Sequence, residues 1–577
     1  MTRSLFQDKH KIRQSSAVSL TRLHISKVIF MALGLLTSLH VHAQVGETEN
    51  ITVATSSSTS TQTVKPNILI FLVDDMGLMD TSVAFIKDKN NQPSPQPLNQ
   101  FYRTPNMERL ASTGARFSDA YAMSVCSPSR ASLMTGQNAA RHHTTQWIDP
   151  FKNNGGDLGP KNWNWQGLTE NSFTMAKMLQ QQGYTTIHAG KGHFSPKVNT
   201  TSDTSNKKVD SITRIGFDIN IAGSHIGRPA SYYGTDDFGH KLKKERQLRA
   251  VPGLSQYHGK DIYLTEAITL AMKKALTTAV SGAKTRNKPF FAYMSQYAVH
   301  APFQADDRFI KNYRTAQSNS ATKNVEAFAT MVEGMDKSLG DLLDHLNDLG
   351  VAENTLIVFI GDNGSDAPLG ISGKNKKNKI KSEQVQNQIK TSAPLRGKKG
   401  SAWEGGTRVP FILSWVKPNT SNTLQQRFPI AKGSFNTNIV SITDILPTLQ
   451  KIAGGNIPHT IDGTSLWPLV NSAAVDKTSA AYRTDFLMHF PHEHRNNFFT
   501  SLRSGDWKVI YNYKEQNKYQ LFNLVTDLSE SKNLAKSEPK KLNELLEKMV
   551  ETLTDMDAQY PLVNKRNGVA EQIINPK

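Results

Sequence analysis

The chain has 577 residues, with 68 lysines and arginines against 49 aspartates and glutamates, a formal charge of +19, and a single cysteine, Cys126. One cysteine excludes an intramolecular disulfide, a cysteine-based zinc site and a thiol pair for redox exchange. The length suits two to four domains, or one large α/β unit with an appendage, and a mean hydropathy of −0.47 excludes a multispanning membrane protein.

The N-terminus reads as an address. Arg3, Lys9, Lys11, Arg13, Arg22 and Lys27 precede an apolar run at 28–41, which Val41-His42-Ala43 closes. A basic lead, a short apolar core and a small-residue site describe a cleavable secretory signal over 1–43. The run is short for a membrane helix, and an uncleaved anchor is the alternative. The cleavage point is followed directly by Gln44 and not by a cysteine, which argues against a lipoprotein. A secreted or periplasmic protein with no stable membrane anchor is therefore expected. Cleavage leaves 62 basic against 48 acidic residues, a charge of +14. Residues 44–64, rich in Ser and Thr, are expected to be a disordered lead-in.

From Lys65 the pattern alternates between apolar runs and helical spacing. NILIFLV (67–73) is continuously apolar and β-branched, as in a strand buried on both faces. YTTIHAGKGH (184–193) follows a helical stretch that Gly183 caps. PFFAYMSQYAVH (289–300) follows DIYLTEAITLAMKKAL, and NTLIVFIGDNG (354–364) follows a helical pattern that stops at Gly350. This predicts an open, mostly parallel or mixed α/β sheet with helices on both faces. Asp74-Asp75, Lys191 and His193, His300, and Asp362-Asn363 lie at the carboxyl ends of these strands, where such sheets bind ligands. Each alone reads more readily as the start of a solvated loop; the coincidence of four at one sheet edge favours a site. Three carboxylates and an amide oxygen form a hard-oxygen set for Ca²⁺ or Mg²⁺. Lys191, Lys399 and Arg130, with His193 and His300, suit an oxyanion such as sulfate or phosphate.

Cys126 lies in SVCSPSRASLMTG, with Pro128 near the start of a helical segment. It reads either as a reactive thiol at a helix N-terminus or as a small buried hydrophobe. Cys126-Ser127-Pro128-Ser129-Arg130, continued by Leu133 and Thr135-Gly136, resembles the signature of type I sulfatases, of the alkaline phosphatase-like superfamily. NILIFLVDDMG, GKGHF, AVHAPF, IGDNG and PLRGKKGSAWEGGTRVP resemble further family segments in order, as do TDILPTL, DGTSLWPLV and GDWKVIY. The resemblance covers about residues 65–535.

The resemblance implies a sulfuric ester hydrolase in which a formylglycine-generating maturation enzyme oxidises Cys126. Asp74, Asp75, Asp362, Asn363 and the modified residue 126 would hold the cation, usually Ca²⁺ in this family, with Mg²⁺ as the alternative. A hydroxyl of the hydrated aldehyde would attack sulfur, with Arg130 holding the modified residue and Lys191 and Lys399 neutralising sulfate oxygens. His300 would protonate the leaving oxygen, and His193 would take a proton from the second hydroxyl so that sulfate is eliminated. Gly192 stands where an aromatic is common, Lys398 competes with Lys399 for the site position, and a polar, Lys-rich insertion fills 366–392.

Residues 141–168 carry His142, His143, Trp147, Trp163 and Trp165, which suit sugar stacking or local core equally. HFPHEHR (489–495) is expected to form a polar pocket rim. The Lys-rich run at 374–381 is a solvated surface or an attractor for a polyanionic chain. After residue 475 antiparallel strands and a helix opened by Ser537 are expected to form a smaller C-terminal α+β subdomain over 476–577, next to a catalytic domain over 65–475. There is no nucleic-acid motif. The expected substrate is sulfated carbohydrate, in keeping with polysaccharide degradation. A phosphate or phosphonate ester hydrolase, an arylsulfatase for small aryl sulfates, and an unmatured glycan-binding chain are the rivals.

Overall fold

Alternate residues of the first apolar run enter two different cores. The run forms β1 (Asn67–Val73); Ile68, Ile70 and Leu72 pack into one cluster and Leu69, Phe71 and Val73 into another. A strand with both faces buried needs helices above and below it. The computed structural model describes residues 64–198, 201–202, 208–286, 288–314, 322–369, 391–471, 482–495, 497–514 and 518–562. The signal and lead-in expected over 1–64 lie outside these apart from Val64, as do most of the 366–392 insertion and the 475/476 boundary. Among the described residues no helix is long and apolar enough to cross a membrane.

The further strands are β2 (Ala115–Tyr121), β3 (Thr185–Gly190), the short β4 (Thr201–Ser202) and β5 (Lys208–Val209), β6 (Ile219–Ile221), β7 (Phe290–Ser295), β8 (Thr355–Gly361), β9 (Phe411–Trp415) and β10 (Ser434–Ser441). Seven of them join β1 in one sheet of eight strands in the order β10-β2-β9-β8-β1-β7-β3-β6. β9 runs antiparallel to β2 and β8, and the other pairs are parallel. The sheet is thus mixed and mostly parallel, as the alternation of strands and helices predicts. Helices Leu264–Arg286 and Lys323–Asp348 cover one face through Ile268, Met272, Met335 and Leu339. Cys126–Thr135, Met175–Gln181 and Ile445–Ala453 cover the other. Gly183 and Gly350, past the ends of two of these helices, take the left-handed φ (88° and 69°) that a chain reversal there requires.

β11 (Asp485–His494), β12 (Asn497–Ser504), β13 (Trp507–Asn512) and β14 (Tyr519–Asn523) form an antiparallel meander. Helix Pro539–Asp555 lays Leu542, Leu545, Leu546, Met549 and Leu553 against Leu502, Val509 and Leu521. It begins at Pro539 rather than at Ser537: proline suits the first helical position, and Ser537 Oγ donates to Leu534 O instead.

Charged groups join the two sheets. Arg503 on β12 donates to Asp119 (2.5 Å) and Tyr121 on β2, while Glu404 accepts from Tyr121 (2.7 Å) and Lys508 (2.8 Å). Burial opposes ionisation of Glu404, yet Lys508, Arg408 and Arg503 hold it down at about 2. Removing one member leaves its partners charged and buried, so Arg503→Met is expected to cost about 3–5 kcal/mol in urea unfolding. The folded Glu404 value lies below that of an unfolded carboxylate. Its contribution is therefore complete above about pH 4.3 and lost as pH falls toward 2, and Glu404→Gln is expected to reduce the acid slope of stability.

Candidate active site

Four neighbouring parallel strands deliver the site. β8, β1, β7 and β3 lie side by side, with Val73 opposite Gly361 and Gly190 opposite Ser295. Asp74-Asp75, Asp362-Asn363, Lys191 with His193, and His300 therefore emerge at one edge. Asp362 N donates to Val73 O (3.0 Å), and Asp75 N donates to Asp362 Oδ1 (3.0 Å). Asp75 and His193 sit at φ 59° and 57°, left-handed positions costing about 1–3 kcal/mol each, of the kind that collects at functional sites. Cys126 is the first residue of helix Cys126–Thr135, all of whose residues are buried.

Every carboxylate here is matched by a cation. Arg130, fully buried, donates from Nε and Nη2 to Asp362 Oδ2 (3.0 and 2.9 Å) and from Nη1 to Lys191 O (3.0 Å) and Ser295 Oγ (2.6 Å). Lys191 Nζ donates to Asp74 Oδ2 (2.7 Å) and Lys399 Nζ to Asp75 Oδ1 (2.5 Å). Burial raises Asp74, and burial with the Asp74 charge pushes Asp362 up to about 7. Burial also opposes ionisation of Asp75, but Lys399, His300 and Lys191 outweigh it and hold Asp75 well below the carboxylate range. Burial lowers Lys399 less than Asp75 and its neighbours raise it, so it stays an ammonium.

In this carboxylate cluster Asp74 Oδ1, Asp75 Oδ2 and Asn363 Oδ1 are buried and have no hydrogen-bond partner among the described residues. Leaving such acceptors unmatched costs about 1–3 kcal/mol each. Oxygens of Asp74, Asp75 and Asp362 lie within 4.8 Å of one another. The donors are hard and acceptor-only, and they fit a divalent cation.

The imidazoles are oriented by backbone. His193 Nε2 lies 2.7 Å from Ile148 O; a carbonyl only accepts, so Nε2 carries the hydrogen and Nδ1 keeps its lone pair. That Nδ1 lies 3.4 Å from both Cys126 Sγ and Ser127 Oγ. Burial and then Lys191 keep His193 neutral, far below the ordinary histidine value. His300 Nδ1 donates to Ala301 O (2.7 Å), with Nε2 3.6 Å from Asp75 Oδ2. Burial lowers His300 to about 3, against the pull of Asp75. To protonate a leaving group it must first gain a proton at Nε2, which an adjacent anion favours.

All the site residues expected from the sequence thus converge. Lys399 is the lysine that enters; Lys398 is 44% exposed and lies 3.9 Å from Asp366. No side chain fits at 192, because a Cβ there meets Ile212 Cδ1 at 2.4 Å and Ser224 O at 2.6 Å. The tryptophan loop divides. Trp163 is core, with its indole N–H on Asn153 and its ring edge-on to His492, while Trp147 packs beside His494. His142 and His143 bond to Ser132 and Asp557 O. Of the 489–495 cluster, His489 and His492 are buried ties to Thr500, Gln559 O, Thr145 and Gly155 O. Only His494 and Arg495 reach the mouth, where Arg495 grips Asp366 at 2.8 and 3.0 Å. Ser127 and Ser295 had no distinguishing signal beyond their neighbours in the chain.

A mixed α/β sheet with a charge-lined centre at its carboxyl edge has the plan of a hydrolase of the alkaline phosphatase-like superfamily. Residues 66–455 match the family model described as Sulfatase, and 402–559 match N-sulphoglucosamine sulphohydrolase, C-terminal. The chain belongs to the Sulfatase family and is a sulfuric ester hydrolase. It is 27% identical to a sulfatase of Formosa agariphila, over 84% of this chain and 87% of that one. It is 25% identical to an N-acetylgalactosamine-6-O-sulfatase of Bacteroides thetaiotaomicron, over 84% and 92%. Ps i-CgsB in complex with k-i-k-neocarrahexaose shares the fold, with a TM-score of 0.60, 24% identity, and coverage of 85% of this chain and 93% of that one.

The unmatched oxygens predict a cation-dependent stability. A divalent ion at about 100 times its Kd is expected to stabilise the protein by about 2.7 kcal/mol relative to chelator-treated protein. Asn363→Ala, which removes one oxygen without changing charge, is expected to shrink that gain at equal ion concentration, read as the thermal midpoint.

Proposed function

We propose that this sulfatase removes sulfate from sulfated carbohydrate, using a formylglycine made from Cys126 and a divalent cation, Ca²⁺ in preference to Mg²⁺. One observation carries the reading. The side chain at 126, buried at a helix N-terminus, lies 3.4 Å from the lone pair of His193, an imidazole that feels the charges of Lys191, Arg130 and Lys399. The relative named for N-acetylgalactosamine 6-O-sulfate and the fold neighbour complexed with a neocarrahexaose support a sugar substrate.

Asp74, Asp75, Asp362 and Asn363 would hold the cation, with residue 126 beside them. When bound, the ion would supply Lewis-acid polarisation and the hydrated aldehyde a nucleophile. The other steps belong to the chain's own residues. Lys191 and Lys399 bind the sulfate oxygens through charge-assisted hydrogen bonds. Arg130, fixed by four hydrogen bonds, anchors the start of the helix that bears residue 126. His193 accepts a proton at Nδ1, its tautomer set by Ile148 O, and His300 delivers one from Nε2 to the departing sugar oxygen. A secretory signal over 1–43 would deliver the protein to the periplasm or outside the cell, and a maturation enzyme would read 126–130.

Cys126→Ala is expected to lower sulfate release by more than about 10³-fold while leaving the unfolding midpoint in place. The mass of the peptide carrying residue 126 checks the modification: an unmodified thiol in fully active enzyme would sink it. Rates on matched sulfate and phosphate esters test the ester class, with the sulfate expected to turn over faster.

A further inference from the structure

Two segments flank His193, and both run out to exposed groups. On one, Ile148 O holds His193 Nε2, and three residues on Phe151 stands 46% exposed. On the other, Ser224 O accepts from His193 N (3.0 Å), and Gly227 lies so close that a Cβ there would be 2.7 Å from His193 Cε1. Arg228 follows, one Cα step of about 3.8 Å away. The two segments meet outside His193, where Phe151 and His225 rings stand edge to face at 5.8 Å and Lys197 N bonds to Pro150 O (2.8 Å).

Cations gather here without carboxylate partners. Ala230 N bonds to Arg249 O (2.9 Å) and Arg246 Nη2 to Ala230 O (3.0 Å), which brings Arg246 and Arg249 beside Arg228. Burial and the charges of Arg249 and Arg246 lower the Arg228 pKa, a sign of like charges held together. Among the described residues none of Lys197, Arg228, Arg246 and Arg249 makes an ion pair. Asp149, in the loop that carries Phe151, accepts from Phe151 N (2.9 Å), and Glu245 stands next to Arg246 in the chain without pairing with it among the described residues. Like charges kept together unpaired on a surface are costly unless an anion visits them, and an exposed aromatic beside them offers the apolar face that a sugar ring covers.

We propose that Phe151, Lys197, Arg228, Arg246 and Arg249 form a subsite for a second, non-reacting sulfate and its sugar ring, so that the preferred substrate is a multiply sulfated oligosaccharide. This rests on the carbohydrate sulfatase reading and narrows it. The ring of Phe151 packs on the neighbouring sugar, and the arginines take its anionic group through forked hydrogen bonds.

The test measures binding by the Cys126→Ala chain, so that it is independent of turnover. The probe is low-molecular-mass dextran sulfate, with neutral dextran as control. Arg228→Ala/Arg246→Ala/Arg249→Ala is expected to weaken dextran sulfate binding at least tenfold and to flatten its salt dependence, with the thermal midpoint retained. Lys432→Ala/Lys536→Ala/Lys540→Ala, which removes the same charge elsewhere, is expected to change binding less than twofold. Phe151→Ala is expected to weaken binding without altering the salt slope. Equal losses in the two triple variants, an unchanged affinity in the arginine variant, or tighter binding of a single-stranded oligonucleotide of equal charge would overturn the subsite. Absence of sulfate release by the unsubstituted enzyme, with binding intact, would instead overturn the activity.

Discussion

The structure turns on a charge balance at the carboxyl edge of the large sheet. Asp74, Asp75 and Asp362 are withdrawn from water together with Arg130, Lys191 and Lys399. Isolated burial of any one would be prohibitive. Each pair joins different parts of the fold: Arg130 on its helix with Asp362 after β8, Lys191 after β3 with Asp74 after β1, and Lys399 from the loop before β9 with Asp75. The pairs therefore hold the loops around the site as well as stocking it. With all three carboxylates ionised the three negative and three positive groups would cancel, and a divalent cation held by those carboxylates would then leave a net positive charge at the site, as an anionic ester requires.

The small sheet sets the mouth of this centre. β11 carries His494 and Arg495 to the loop that bears Lys399: a Cβ on Gly400 would lie 3.5 Å from His494 Cδ2. Arg495 closes on Asp366, which lies only three residues after Asn363. The chemistry is thus drawn from the large sheet and part of the entrance from the small one, with the Arg503, Asp119 and Glu404 network fixing the two together. A change in that network can move the entrance without touching a reacting group.

Much of this was legible in the sequence because the informative features are local. NILIFLV, apolar, β-branched and bounded by Pro66 and Asp74, suggests a strand buried on both faces, and an acidic pair directly after such a strand emerges at its carboxyl end. The same logic located Lys191, His193 and Asp362, while the C-x-P-x-R stretch gave 126 and 130 their meaning through family resemblance. Features decided by distant partners were not legible. Nothing in FFAYMS marks Ser295 as an anchor for Arg130, and nothing near Trp163 says that its ring faces His492 rather than a sugar. Lys398 and Lys399 are equal in composition and differ only in direction, which the loop fixes through Lys399 N on Ser365 O and Gly400 N on Ser124 O. The antiparallel sense of β9 likewise depends on the route of the chain through 391–410.

Burial of the helix that starts at Cys126 also imposes a timetable. Pro128 and Arg130 are enclosed as completely as the cysteine, and Arg130 is bonded into β3, β7 and β8 territory by groups from three chain segments. A catalyst that grips 126–130 as an extended stretch has access only while the sheet is still open. Were residue 126 modified as proposed, the step would belong to the unfolded chain, before Asp362 and Ser295 arrive, and the proportion of competent enzyme would be set by a race between folding and modification.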